Sequence, residues 1–330
     1  MGTKDKLERI YIKLGTSCNL KCKYCHVEHK DILFNPAILP ILKDLNLRRI
    51  TFGGGEPLLY WNVIKQIVLY LGDNVQYKVV TNGTLFTEEI VEFCNQYNFL
   101  FFISVDGIGS TRDDSKPIKW DLVKKLKFCG TAITFYRENR NILDAMASLD
   151  EIKEKYLKVE PWIFSSYPNF VHVTRESNKK ASDLELVESY VQQMTVLARE
   201  SFNLYKQGII TGFLHKIFKN YVLKKNFNGI RCCNNKYISI LANGDICICP
   251  YTLDRVGSIF ELDLLDWDRI KFEYSKEECL HCKLFNICGN FCCKNVTDHE
   301  CMVMKRMHEV VVHLMNEFKI NYDELYNVLI

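Results

Sequence analysis

The chain has 330 residues, of which 48% are hydrophobic and 25% are charged, values typical of a globular protein. Its net charge is only +3 and no lysine- or arginine-rich tract occurs, so a nucleic-acid partner is not indicated. The polar N-terminus lacks a signal-peptide core, and no run of about 18 apolar residues predicts a membrane span. We therefore expect a cytoplasmic protein whose fifteen cysteines serve metal binding or catalysis rather than disulfides.

The first predicted strand, Ile10–Leu14, leads into a loop that contains three cysteines. Cys18, Cys22 and Cys25 are spaced C-x3-C-x2-C, and cysteine thiolates are the usual ligands of iron–sulfur clusters. Three thiolates on a four-iron cluster leave one iron open to a small molecule, which indicates a catalytic role for the cluster rather than a structural one. Three thiolates with a fourth ligand such as His26 would also suit a tetrahedral zinc ion. The loop alone favours iron–sulfur without excluding zinc.

Strands and helices then alternate along the first half of the chain. The sequence predicts strands over 48–52, 76–80, 99–105, 131–136 and 159–164, and helices over 36–46, 61–71, 118–128 and about 140–156, with one more helix beginning at Thr87. Such alternation predicts right-handed βαβ units and a parallel sheet. In α/β barrels, reactive residues lie at the carboxyl ends of the strands, which is where the cysteine loop falls.

Turns with glycine or polar residues follow three of these strands. They contain Gly53, Gly54, Gly55 and Glu56 after the second strand, Asn82 after the third, and Ser104 and Asp106 at the end of the fourth. The glycine run lacks the spacing of a phosphate-binding loop. Successive glycines either let the backbone approach a ligand closely or form an ordinary tight turn.

The rest of the chain is helical and then rich in cysteine. A helix is predicted over 182–206 after an irregular stretch over 165–181. Residues 209–228 are predicted to form an amphipathic packing face, and the alternative is that Tyr221, Lys224, Lys225 and Phe227 line a substrate groove. Ten of the fifteen cysteines lie between Cys232 and Cys301, beside a hairpin predicted at Asn243–Gly244. Zinc ribbons have similar parts, but the number of cysteines exceeds one four-cysteine site. Cys94 and Cys129 are predicted to lie in the core.

Two motifs of the first half resemble those of radical S-adenosylmethionine (SAM) enzymes. Cys18, Cys22 and Cys25, with Tyr24 before the last cysteine, resemble the family signature. The resemblance implies that the open iron binds SAM and that an electron from the cluster cleaves SAM to a 5′-deoxyadenosyl radical. The Gly-Gly-Gly-Glu run resembles the family's GGE motif. The SAM-binding residues implied in this way are Tyr24, Gly53, Gly54, Gly55, Glu56, Asn82, Ser104 and Asp106. The chain departs from the family at Lys116, where related enzymes often have an arginine.

The C-terminal cysteines resemble the SPASM domain, an extension that carries two auxiliary [4Fe–4S] clusters. The ligands implied for the distal cluster are Cys279, Cys282, Cys288 and Cys301, and those for the proximal cluster are Cys232, Cys249 and Cys292. The proximal cluster is thus one ligand short. Cys233, Cys247 or Cys293 could complete it, or its iron could stay open to a substrate thiolate.

The sequence therefore predicts a partial (β/α)6 barrel with linking helices over 1–228, a SPASM domain over 229–301, and a C-terminal helix over 302–330 that packs against the barrel. The expected activity is modification of a ribosomally made peptide or a protein side chain, by a thioether or carbon–carbon crosslink or related chemistry. A sulfatase-maturing enzyme and a zinc-binding interaction protein are the alternatives. Expected partners are the peptide or protein substrate, a small flavodoxin- or ferredoxin-type reducing protein, and a separate leader-binding protein, because few residues precede the barrel.

Overall fold

The computed structural model of the chain describes most of its residues. The described residues are 7–22, 25, 32–105, 115–135, 141–152, 166–170, 183–224, 229–230, 233–249, 254–274, 277–288 and 298–330.

Six parallel strands form the predicted partial barrel. They are β1 (Arg9–Gly15), β2 (Arg49–Gly54), β3 (Gln76–Thr81), β4 (Phe99–Ser104), β5 (Cys129–Phe135) and β6 (Ser166–Phe170). Each strand pairs in parallel with the next in chain order. The prediction of a parallel sheet built from βαβ units is confirmed.

Helices connect these strands as expected. They are α1 (Ile38–Asp44), a short 3-10 helix (Pro57–Tyr60), α2 (Trp61–Leu71), α3 (Glu88–Gln96), α4 (Trp120–Val123) and α5 (Ile142–Ile152). The predicted start of α3 is confirmed, because the Thr87 hydroxyl accepts the backbone N–H of Ile90 at 3.2 Å as an N-cap. The helix predicted over 118–128 is wrong in length, since α4 ends after one turn at Val123.

The sixth strand also differs from the prediction. Residues 166–170, expected to be irregular, form β6 and pair with β5, whereas the predicted strand over 159–164 lies outside the described residues. Pro168 is a poor strand residue because it lacks an N–H. Proline is tolerated at a sheet edge, and β6 ends the strand order.

The barrel strands have two different faces. The face that packs on the helices is apolar and buried, and includes Ile10, Ile12, Phe52, Tyr77 and Phe101, each at most 1% exposed. Residues at the alternate positions point the other way, towards the inside of the barrel. We call this second face the lumen face. Its members include Arg9, Tyr11, Lys13, Arg49, Thr51, Gly53, Gln76, Lys78, Val80, Leu100, Phe102 and Ser104.

The remaining elements lie in the second half of the chain. They are α6 (Asp183–Lys206), α7 (Gly212–Tyr221), β7 (Gly229–Ile230), β8 (Cys233–Asn234), β9 (Tyr237–Leu241), β10 (Asp245–Cys247), β11 (Arg255–Ser258), a 3-10 helix (Ile259–Leu264), α8 (Trp267–Tyr274), α9 (Glu277–Leu280), α10 (Phe285–Cys288), α11 (Asp298–Glu317) and α12 (Tyr322–Leu329).

The predicted hairpin exists and continues the barrel sheet. β9 and β10 pair antiparallel across the turn that contains Asn243 and Gly244. On its other side β9 pairs in parallel with β1, with Ile238 opposite Ile10. The hairpin therefore adds strands to the edge that β1 would otherwise leave open, although the predicted domain boundary falls between residues 228 and 229.

A second hydrophobic core joins α6, α7, α11 and α12. The apolar stripe predicted over 302–330 is confirmed, because Met304, Val311, Leu314 and Met315 are all at most 7% exposed. The single helix predicted over 302–330 is instead two helices, α11 and α12. Among the described elements, α11 packs mainly on α6 and α7 rather than on the barrel strands. No helix within the described ranges is long and apolar enough to span a membrane.

Candidate active site

The three-cysteine loop begins where β1 ends. Cys18 and Cys22 are partly buried and Cys25 is exposed. The loop is turned back on itself, because the Cys25 N–H donates to the Cys22 carbonyl at 3.0 Å. The Leu20 N–H lies 3.4 Å from the Cys18 sulfur and donates to it. The thiols therefore lie on a loop at the carboxyl end of a barrel strand, as the sequence predicts.

The glycine run packs directly against the start of this loop. The Gly55 N–H donates to the Gly15 carbonyl at 3.1 Å, and the Glu56 N–H donates to the Ser17 carbonyl at 2.9 Å. A Cβ on Gly54 would lie 2.1 Å from the Gly15 oxygen, and one on Gly55 would lie 2.3 Å from the Ser17 oxygen. These glycines are thus required by the approach of two protein segments, whether or not SAM is bound.

Glu56 fastens the end of β2 to the end of β3. The residue is buried, at 1% exposure. One oxygen accepts the Leu58 N–H at 3.0 Å and the Thr81 hydroxyl at 2.7 Å, and the other accepts the Asn82 N–H at 2.8 Å. A buried carboxylate with three donors is well compensated. The side chain of Glu56 therefore holds the turn after β2 and the turn after β3 together, next to the cysteine loop.

Asn82 continues this network to the cysteines. Its amide group donates to the Asn19 side-chain oxygen at 2.8 Å and lies 3.8 Å from the Cys18 sulfur. Thr84 donates to the Asn82 side-chain oxygen through its backbone and its hydroxyl, at 3.0 and 2.8 Å. The sequence indicated Asn82, but Asn19 and Thr84 were missed, because nothing in the sequence shows that residues about 60 positions apart would meet.

These donors fit an iron–sulfur ligand at Cys18. Hydrogen bonds to cluster sulfurs are among the factors that set reduction potential, and Cys18 receives one from Leu20 and one from the Asn82 amide. Without metal, burial raises the pKa of the Cys18 thiol, and the nearby Glu56 carboxylate raises it further. The loop thus places the Cys18 thiol, which has two hydrogen-bond donors, near the exposed Cys25. This arrangement suits a cluster that is accessible from solvent.

The other predicted SAM contacts are only partly described. Ser104 is partly buried at the end of β4, on the lumen face and at the same end of the barrel as Asn82. Lys116 is exposed. Tyr24 and Asp106 lie outside the described residues, so their assignment stays a prediction. Gly53 opposes Lys13 of β1, and a Cβ there would lie 1.8 Å from the Tyr11 hydroxyl.

The C-terminal cysteines fall into two environments. Cys233, Cys247 and Cys249 are on or beside the hairpin and are at most 3% exposed. Burial raises the pKa of Cys233 to about 12 and that of Cys247 to about 11. Four more are partly exposed on or beside the later helices: Cys279, Cys282, Cys288 and Cys301. Cys232, Cys292 and Cys293 lie outside the described residues.

The described side chains do not reveal a ready-made mononuclear metal site. Within the described ranges, no three His, Cys, Asp or Glu side chains are arranged so that they could hold a metal ion. The ligand sets of the clusters therefore remain predictions. Cys94 and Cys129, by contrast, lie in the core as predicted, at 1% and 4% exposure.

A family comparison identifies the class of protein that this fold and loop define. Residues 12–127 match the model of the Radical SAM superfamily. The match covers β1 to α4, including the cysteine loop and the turns after β2, β3 and β4. The part of the chain from β1 to α4 is therefore a radical SAM domain, and enzymes with this domain act through SAM and an iron–sulfur cluster. The cysteine-rich C-terminal part is consistent with auxiliary clusters.

Curated relatives extend the similarity to most of the chain. The radical SAM cyclopropyl synthase TigE of Paramaledivibacter caminithermalis is 24% identical over 88% of this chain and 68% of its own length. A cysteine-type anaerobic sulfatase-maturating enzyme of Clostridium novyi is 25% identical over 82% of this chain and 77% of its own.

Solved structures share the fold. The enzyme anSMEcpe, solved with bound AdoMet and the Cp18Cys peptide, covers 94% of this chain and 98% of its own with a TM-score of 0.66 and 18% identity. SuiB of Streptococcus suis, solved with its precursor peptide SuiA, covers 86% of this chain and 71% of its own with a TM-score of 0.54 and 20% identity.

Proposed function

We propose that this enzyme modifies a side chain of a ribosomally made peptide or of a protein. The observation that carries the proposal is the way Cys18 is held. Its loop is bonded to the glycine run after β2 and, through Asn82 and Asn19, to the turn after β3. Three strand ends thus converge on a three-cysteine loop in a chain that has the radical SAM fold.

In this proposal Cys18, Cys22 and Cys25 hold the SAM-binding cluster. When bound, the cluster and SAM supply a 5′-deoxyadenosyl radical that removes a hydrogen atom from the substrate. The chain's own residues fix the loop. Glu56 joins the turns after β2 and β3, and the Leu20 N–H and the Asn82 amide donate to the Cys18 sulfur. Gly53, Gly54, Gly55 and Ser104 line the same end of the barrel and are the proposed SAM contacts, together with Tyr24, Asn82 and Asp106.

Two auxiliary clusters are proposed for the C-terminal part. Cys279, Cys282, Cys288 and Cys301 would hold the distal one, and Cys232, Cys249 and Cys292 the proximal one. Among the described cysteines, Cys233 and Cys247 are the candidates for a fourth proximal ligand, because both lie close to the hairpin that carries Cys249. Cys293 is the third candidate, and an open iron is the alternative.

A peptide substrate is supported by two likenesses in fold. Both anSMEcpe and SuiB were solved with a bound peptide, and the SuiB peptide is a precursor. The proposed partners are therefore a precursor peptide or protein, a small reducing protein of the flavodoxin or ferredoxin type, and a separate protein that binds the leader. The proposed location is the cytoplasm.

The test begins with anaerobic reconstitution of the whole chain. About twelve irons per chain are expected if three four-iron clusters form, together with formation of 5′-deoxyadenosine from SAM. The enzyme is then combined with short cysteine-rich or repeat-bearing peptides encoded by neighbouring genes. Loss of two hydrogens from one of them, seen by mass spectrometry, is the expected result. Stoichiometric zinc with negligible iron would overturn the proposal of an iron–sulfur enzyme in favour of a zinc-binding interaction protein.

Sulfatase maturation is a second candidate function. It is favoured by the Clostridium novyi relative, which matches over 82% of this chain. A sulfatase-derived peptide in which a cysteine or serine is oxidised to formylglycine would support it. A neighbouring sulfatase gene, without a gene for a short precursor, would point the same way.

A further inference from the structure

The lumen face of the barrel has an uneven charge. Its strands place Arg9 and Lys13 on β1, Arg49 on β2 and Lys78 on β3. No strand from β1 to β6, and not β9 either, contains an aspartate or a glutamate. The described inner wall of the barrel is therefore basic although the whole chain is close to neutral.

These cations are neighbours of one another. Arg9 and Arg49 lie directly opposite each other in the β1–β2 register, and Thr51, two residues along β2, opposes Lys78. Like charges on facing strand positions destabilise a sheet. Burial lowers the pKa of Arg49, and the neighbouring Arg9 and Arg48 lower it further. The arrangement thus has an electrostatic cost that no carboxylate of these strands offsets.

The partners of three of these cations are neutral. The Arg49 Nε donates to the Gln76 side-chain oxygen at 2.7 Å. The Arg9 guanidinium lies 5.7 Å from the centre of the Tyr237 ring, and its Nε is buried without a hydrogen-bond acceptor. The Lys78 ammonium lies 4.1 Å from the centre of the Phe102 ring. None of these three forms an ion pair with a described carboxylate.

Helix α7 adds further positive charge to this region. The Lys216 ammonium lies 5.6 Å from the same Phe102 ring, and Lys219 is one turn further along the helix. Burial, with Lys216, Arg49 and Lys219 nearby, lowers the pKa of Lys78 to about 7. Burial and the same two α7 lysines also lower the pKa of His215. A bound anion would reverse these shifts by favouring the charged forms.

The cations lie below the cysteine loop rather than beside it. At about 3.3 Å per residue, Arg49 is about 13 Å from Gly53 along β2, and Lys78 is about 10 Å from Thr81 along β3. A SAM molecule held at the strand ends would have its own carboxylate at the loop. The deeper cations are thus available to a group that reaches into the barrel from the opening.

We propose that this basic lumen binds a carboxylate of the peptide substrate, with Lys78 and Arg49 as its principal contacts. The inference rests on the proposed function, because the carboxylate is the anionic group that an unmodified peptide carries at neutral pH. Its two possible sources are a glutamate or aspartate side chain and the peptide's C-terminus. Charge-assisted hydrogen bonds from the two cations would anchor the substrate below the site of hydrogen abstraction.

The first test needs no variant. The reconstituted enzyme with SAM is titrated with three pentapeptides, and binding is measured by calorimetry. The first is Ac-Gly-Ala-Glu-Ala-Gly-amide, the second has Gln in place of Glu, and the third is the Gln peptide with a C-terminal carboxylate. At least one carboxylate peptide should bind about tenfold or more tightly than the neutral one, as expected for a charged hydrogen bond. Comparison of the first and third peptides shows which carboxylate is recognised.

The second test assigns the contact to the lumen. Lys78→Gln and Arg49→Gln should each remove most of the preference for the carboxylate peptide. Lys125→Gln is the matched control, because it removes the same charge from an exposed lysine that pairs with Glu88 on the outer side of the barrel. Lys78→Gln should not lower the melting temperature, since it relieves repulsion among buried cations. Binding of SAM itself should be unchanged in both lumen variants.

The outcomes separate this inference from the proposed function. Equal binding of all three peptides would overturn carboxylate recognition while leaving a peptide substrate in place. A preference that survives in both lumen variants would place the contact elsewhere and overturn the role of Lys78 and Arg49. If none of the peptides binds and no precursor peptide is modified, the peptide substrate is wrong and the inference fails with it.

Discussion

The cysteines of the loop and those beside the hairpin are held in opposite ways. Cys18, Cys22 and Cys25 lie on a partly exposed loop that hydrogen bonds keep in place. Cys233, Cys247 and Cys249 are buried beside the hairpin, and Cys233 and Cys249 belong to the hydrophobic core of the barrel. The partly exposed thiols of the loop suit a group that is reached from the barrel opening, whereas the buried thiols of the hairpin suit one that is enclosed.

The largest effect is expected from a change in the loop. Cys22→Ala should reduce formation of 5′-deoxyadenosine from SAM to background and lower the iron content by about four atoms per chain, because one of three thiolate ligands is lost. Iron analysis and chromatography of the reaction products measure both quantities. Retention of SAM cleavage by Cys22→Ala would refute the assignment of this loop as the SAM-binding site.

The next effect tests whether hydrogen bonds, rather than burial, hold the loop. Glu56→Ala removes the acceptor of the Leu58 N–H, the Thr81 hydroxyl and the Asn82 N–H. Leaving buried donors without an acceptor costs about 1–3 kcal/mol each, so the free energy of unfolding should fall by at least about 3 kcal/mol. SAM cleavage should fall with it, whereas the auxiliary iron should stay. Denaturant unfolding and iron analysis test this.

Glu89→Ala is the control for Glu56→Ala. Glu89→Ala changes an exposed glutamate whose carboxylate contacts Lys65, and exposed ion pairs contribute little. Its unfolding curve should match that of the unaltered protein. Similar curves for Glu56→Ala and Glu89→Ala would show that the network does not hold the loop.

A smaller effect on activity is expected from the C-terminal cysteines. Cys282→Ala changes a partly exposed residue between α9 and α10, so the variant should fold. Its iron content should fall by about four atoms per chain, while cleavage of SAM without substrate should persist. Loss of SAM cleavage together with the iron would show that the two regions do not act separately. An unchanged iron content would remove Cys282 from the ligand set.

The sequence predicted the barrel well because its signals are local. Alternating apolar runs, the Thr87 cap and the Asn243–Gly244 turn each depend on neighbouring residues, and all three match the structure. β6 was misplaced because its pairing with β5 overrides the poor strand propensity of Pro168. The parallel pairing of β9 with β1 joins segments more than 200 residues apart, which no local pattern reveals.

The site, like the fold, was predictable only where its signal is local. The cysteine spacing is a contiguous pattern, whereas the link from Glu56 to Asn82 and then to Asn19 depends on how three turns meet. The basic lumen had a weak signal in the sequence, since Arg9 and Lys13 interrupt an apolar strand at alternate positions. To see these residues as one cluster, it is necessary to know which cations face each other, and only the strand register shows this.

The smallest effect is expected from a cysteine that belongs to neither group. Cys94 is 1% exposed within α3, and burial raises the pKa of its thiol, which makes it unreactive. Cys94→Ala should lower the free energy of unfolding by about 1 kcal/mol, through lost packing. Iron content and SAM cleavage should remain those of the unaltered protein, so this variant is also the matched control for Cys22→Ala. A fall in iron would mean that burial in the core does not exclude a cysteine of this chain from a metal site, and the contrast between the loop and the hairpin would lose its basis.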